Sequence, residues 1–106
     1  GLIRDGSSDT MSFTLDSDGE WEESKSYATV GTTVKVSGTI TSPDGTWNIK
    51  VSSSQGWKKE YDSVPTGQSE SFSIKTNFGS TKVTIKIWSV NGAADEGLQG
   101  QFKVDY

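Results

Sequence analysis

The chain has 106 residues, a formal charge of −4, and neither cysteine nor histidine. It therefore lacks a thiolate nucleophile, an imidazole base, a disulfide and the ordinary ligands of a zinc or copper centre. Its ten basic residues are scattered, which argues against nucleic acid as a partner, and no apolar run approaches the ~18 residues that membrane insertion requires.

A chain of this length fits one domain. The expected layout is a flexible N-terminal segment over 1–9 followed by a single domain over 10–106. From Thr10 to Leu15, Met11, Phe13 and Leu15 take one parity and Ser12 and Thr14 the other, the alternation of a half-buried strand. Asp16, Asp18 and Glu20 then surround Gly19. Between Gly19 and Val30 the parities mix, since Trp21 and Tyr27 share theirs with Glu23 and Lys25, and an edge strand carrying a bulge is expected to produce that mixture.

Thr33 to Thr41 alternates again, with Val34, Val36, Gly38 and Ile40 opposite Lys35, Ser37, Thr39 and Thr41. Ser42-Pro43-Asp44-Gly45 reads as a short hairpin turn, Pro presetting φ and Gly accepting a positive one. Thr46 to Ser52 would return antiparallel, with Trp47, Ile49 and Val51 inward. Trp57 to Ser63 has no cleanly apolar face and reads as an edge, broken by Val64-Pro65-Thr66-Gly67. Glu70 to Phe78 puts Phe72, Ile74 and Phe78 on one face. Lys82 to Val90, with Val83, Ile85 and Ile87 inward, is the most β-prone stretch and is expected at the centre of a sheet. After a loop over Asn91 to Gly97, Phe102, Val104 and Tyr106 end the chain on alternate positions of a last strand.

No segment carries helical apolar spacing over three turns. The expected fold is all-β: a two-sheet antiparallel β-sandwich, immunoglobulin-like or jelly-roll, of seven to eight strands with little or no helix. Val34, Val36, Trp47, Ile49, Phe72, Ile74, Val83, Ile85 and Ile87 should share its core.

Four tryptophans are the functional lead, and parity separates them. Trp47 belongs with Ile49 and Val51 in the core, whereas Trp88 lies opposite Ile85 and Ile87 with Thr84 and Lys86. Trp57 and Tyr61 share a mixed face, and Trp21 stands between Glu20 and Glu22 near a turn. Together Trp21, Trp57, Tyr61 and Trp88 would form a platform for the flat C–H faces of sugars, with short polar side chains nearby to bond hydroxyls. The competing placement has Trp57 and Tyr61 closing one end of the sandwich and Trp88 covered by a crossing strand or the N-terminal tail.

Asp16, Asp18 and Glu20 offer carboxylates for a weak calcium site, although their spacing is not that of an EF-hand; the alternative is an acidic turn that discourages aggregation. No other cofactor is expected. A glycosidase would need two carboxylates ~5 to 9.5 Å apart across a cleft, and nothing selects such a pair among 14 acids, so the chain reads as a non-enzyme. The functional expectation is a monomeric, non-catalytic binding module, secreted or at the cell surface, with a glycan or protein ligand and carbohydrate foremost. Its rival is a structural or protein-interaction sandwich (adhesion, spacer or inhibitor-like) without a small-molecule ligand, offering the edge over 57–63 for β-augmentation.

Overall fold

The computed structural model describes residues 8–29, 34–41, 46–54, 56, 58–64, 69–76 and 79–105, and within them the side chains of all but 28, 29, 34, 35, 40, 72, 75, 76 and 79. Trp57, Phe78, Tyr106, the turn over 42–45 and the side chains of Val34 and Phe72 lie outside that description. Among the described residues eight strands follow one another: β1 (Ser8–Thr14), β2 (Glu20–Thr29), β3 (Val34–Thr41), β4 (Trp47–Ser53), β5 (Lys58–Val64), β6 (Ser69–Thr76), β7 (Gly79–Ser89) and β8 (Gln99–Asp105), with a 3₁₀ turn at Gly92–Asp95 before the last. No described helix is long and apolar enough to cross a membrane.

The strands form two antiparallel sheets, ordered β1-β8-β3-β6 and β2-β7-β4-β5 and here named A and B. Four ladders join β1 to β8, β2 to β7, β3 to β6 and β4 to β5. The first half of the chain is thus paired with the second as in one long hairpin, which is then rolled up by the β3–β8 and β4–β7 ladders. That is the strand order of a jelly roll, and it decides between the two expected sandwiches. An immunoglobulin sheet would place the first two strands side by side, whereas here β1 and β2 belong to different sheets.

The inner faces supply one core. Val83, Ile85 and Ile87 of β7 oppose Ser53, Val51 and Ile49 of β4 in register, and Trp47, Ile49, Val51, Val36 and Ile74 are all at most 1% exposed. Phe13, Leu15, Phe102 and Val104 close the sheet A side. The expected core is found wherever its side chains are described, and β7 is an inner strand as expected. Thr81 Oγ1, also buried, has no hydrogen-bond partner among the described residues, which costs about 1–3 kcal/mol.

Four expectations need correction. β1 begins at Ser8, so Ser8 and Asp9 are strand residues. β3 and β4 are not a hairpin, because they lie in different sheets: a Pro-Asp-Gly turn reverses the chain without choosing the strand's partner. β2 is an edge strand but pairs with β7 without a break in register from Glu20↔Trp88 to Thr29↔Gly79. Its mixed parity comes from Glu23 and Lys25, charged residues on the inner parity of an edge, a device that blocks edge-to-edge pairing. The bulge lies between β4 and β5 instead, where the pairs Trp47↔Val64 and Ile49↔Tyr61 leave Asp62 and Ser63 opposite Asn48. Ser63 takes φ +56° and donates its N–H to Asn48 Oδ1 at 3.1 Å. The extra residue flips parity, and Val64, expected in a turn, is therefore buried.

Each open side of the sandwich is fastened by a tyrosine. On one side Lys25 forms an ion pair with Asp9 of β1, whose Oδ2 also accepts the Tyr27 hydroxyl at 3.4 Å. On the other the Tyr61 hydroxyl donates to the Ser71 carbonyl of β6 at 3.1 Å, tying sheet B to sheet A.

Candidate functional site

Opposite residues in a ladder share a face, so the register assigns every ring a side. On the outer face of sheet B, Trp88 of β7 stands between Glu20 of β2 and Asn48 of β4. The next row is Glu22, Lys86, Lys50 and Glu60, and the one after it Ser24, Thr84, Ser52 and Lys58. Trp88, Asn48, Lys50 and Lys86 are half-buried on the two inner strands, while Glu22 and Glu60 are exposed on the edges. The Lys86 ammonium lies 5.6 Å from the Trp88 ring centroid, within cation–π range. Ser24 and Thr84 hydroxyls meet at 2.8 Å across the β2–β7 ladder.

The other rings do not join Trp88. Trp21 lies opposite Ile87 on the inner face and packs on Phe13, their centroids 5.1 Å apart. Tyr61 lies opposite Ile49, also inward, with Lys59 Nζ 5.1 Å from its ring. Trp21 and Tyr61 are thus on the reverse of the sheet from Trp88 and on its two opposite edge strands, β2 and β5. Trp57 lies outside the described residues. A four-ring platform is not what the described residues build; of them, Trp88 alone faces outward.

Sheet A presents a different outer face that ring-counting overlooked. Thr10, Thr39, Thr41, Gln101 and Lys103 line one shallow depression, and Ser12, Thr14, Gln99 and Gln101 an adjoining one. Its hydroxyls already pair across strands, as in Thr39 with Ser71 and Thr41 with Ser69, each at 3.4 Å. The signal was present in the Ser and Thr of the outward parity on β1, β3 and β6, but it specifies polarity and no ligand shape.

The carboxylates of Asp16, Asp18 and Glu20 each offer an oxygen, all within 4.8 Å of one another. Asp16 Oδ1 accepts the N–H groups of Asp18 and Glu20 at 2.9 and 3.0 Å, so its charge already has work in closing the β1–β2 turn. Calcium prefers six to eight oxygens, and three carboxylates with one so committed make a weak site at best. The expected result is a melting temperature that rises only at millimolar calcium, because a cation bound to the folded chain alone stabilises it by mass action. Coincident melts in chelator and in calcium would reduce the three acids to turn residues.

No protein-family model and no curated protein matches the chain. Among solved structures, it is similar to an exo-β-1,3-galactanase from Phanerochaete chrysosporium, seen with β-1,3-galactotriose (TM-score 0.47, 17% identity) and with galactose (TM-score 0.44, 16% identity). These likenesses cover 98% and 95% of this chain and 27% of the galactanase chain. It is also similar to a chain of infectious bursal disease virus, Gx strain, with TM-score 0.40 and 12% identity, covering 94% of this chain and 32% of that one. The chain thus spans about a third or less of the solved chains it resembles.

Proposed function

We propose that this domain is a non-catalytic carbohydrate-binding module, secreted or held at a cell surface, whose contact surface is the outer face of sheet B around Trp88. The observation that carries the reading is the position of that ring: an inner strand of a polar face, outward, half-buried, and flanked across both ladders by Glu20 and Asn48. A sugar ring stacks its C–H face on such an indole, and the flanking carboxylate and amide bond its hydroxyls. Asn48 Oδ1 is occupied by the Ser63 N–H, which fixes the amide and leaves its NH₂ to donate. The lack of Cys and His supports a role without catalysis.

A glycan panel read by tryptophan fluorescence tests the proposal. Trp88→Ala is expected to abolish binding of whichever glycan the wild-type chain retains, while the circular dichroism spectrum stays that of a β-sandwich. Undiminished binding by that variant would refute the assignment of the face. No binding by the wild-type chain across the panel would leave the structural or protein-interaction reading ahead.

A further inference from the structure

Lys50 and Lys86 are directly opposite each other on the two inner strands of sheet B, one row from Trp88. Like charges opposite one another destabilise a ladder, and each lysine is offset only by the carboxylate across from it on the edge strand, Glu22 for Lys86 and Glu60 for Lys50. The row's two carboxylates, Glu22 and Glu60, stand on the outer flanks, and among the described residues no carboxylate oxygen comes within 4.0 Å of either ammonium. The surface of a chain with net charge −4 thus carries, beside its one described outward indole, two half-buried cations that form no ion pair among the described residues.

We infer that the ligand of this face is an acidic sugar: a uronic-acid oligosaccharide whose ring stacks on Trp88 while its carboxylate sits between Lys86 and Lys50. The inference rests on the reading of the face as a carbohydrate site and adds the charge of the sugar to it. Lys86 Nζ lies over the indole, 5.6 Å from its centroid, so a pyranose that stacks there displaces the ammonium to the sugar's rim, where it meets a substituent. A carboxylate attached directly to the pyranose carbon stays at that rim with a single charge. A heavily sulfated chain would bring more negative charge against Glu20, Glu22 and Glu60, which frame the lysines on this face.

Calorimetric titration of the intact chain with an oligogalacturonate and with its carboxyl-reduced neutral counterpart tests this. The acidic form is expected to bind about tenfold tighter at low ionic strength, the advantage shrinking at ~0.5 M salt. Lys50→Gln and Lys86→Gln should each weaken the acidic form by about two- to fivefold and leave the neutral one unchanged. Equal affinity for the two forms, or a difference that survives in the double variant, would overturn the inference; neutral binding that still depends on Trp88 would then leave the carbohydrate reading standing. Tighter binding of a sulfated oligosaccharide of the same length through the same lysines would overturn the carboxylate assignment. If neither form nor any neutral glycan binds, the carbohydrate reading falls and this inference falls with it.

Discussion

Trp47→Ala is expected to destabilise the domain by about 3–5 kcal/mol, and Trp88→Ala by about 1–2 kcal/mol. Both tryptophans are on adjacent inner strands of sheet B, one residue apart in the β4–β7 register, so they differ chiefly in which face they occupy. Trp47 is fully buried among the inward residues, and its removal would leave a cavity the size of an indole between two sheets that cannot both close on it. Trp88 stands on the outer face and already meets solvent in part. For a domain of this size a kilocalorie per mole shifts the melting temperature by roughly 4–8 °C, so thermal melts separate the two outcomes easily. A collapse of both variants would make Trp88 a structural residue, and the proposed contact face would lose its central ring. A mild effect from both would mean that the parity of β4 is misassigned.

That comparison also shows what could be read from the chain and what could not. Period-two alternation tells Trp47 and Trp88 apart, because Ile49 and Val51 set the inward parity of β4 and Val83, Ile85 and Ile87 that of β7. The same logic fails within the described part of the segment from Trp57 to Ser63. A bulge at Asp62 and Ser63 changes parity inside the strand, and a bulge formed by ordinary residues leaves no mark in composition. β2 misled in the opposite way: Glu23 and Lys25 face inward without any bulge, since at the margin of a sandwich an inward side chain still reaches water. The ring platform failed for a further reason. Alternation assigns faces within one strand, but whether two strands show their rings on the same side depends on register, and register joins residues as far apart as Trp21 and Ile87. The choice of jelly roll over immunoglobulin order is likewise a matter of which strands pair, and no turn motif encodes it. The lysine pair under the proposed ligand belongs to the same class of facts, for Lys50 and Lys86 are unremarkable until β4 and β7 are laid side by side.

Gly19→Ala should cost about 2–5 kcal/mol although it adds one methyl group in a loop. Two terms act together. Gly19 has φ +76°, a backbone conformation that costs a residue with a Cβ about 1–2 kcal/mol. A Cβ there would also lie 2.1 Å from the Gly92 carbonyl oxygen and 2.6 Å from its carbon, and since these are backbone atoms the 3₁₀ turn itself would have to move. That displacement would strain a laced pair of loops. The Ser89 N–H donates to the Gly19 carbonyl at 2.9 Å, Leu15 and Leu98 are joined by an N–H to carbonyl bond at 2.9 Å, and the Gly97 N–H returns to the Leu15 carbonyl at 3.0 Å. The Asp95 carboxylate braces the far loop by accepting the Ser89 hydroxyl. Overpacking of a fitted contact typically adds about 1–3 kcal/mol. Gly97→Ala is the control, because Gly97 has φ +84° but no atom within 4 Å of an added Cβ, and it should show the backbone cost alone. Denaturant melts of the two variants therefore isolate the loop contact. If they lose equal stability, the β1–β2 turn does not rest on the β7–β8 loop in solution. If Gly19→Ala loses clearly more, that contact holds one end of the jelly roll together, and with it Glu20, the residue beside Trp88 on the proposed binding face.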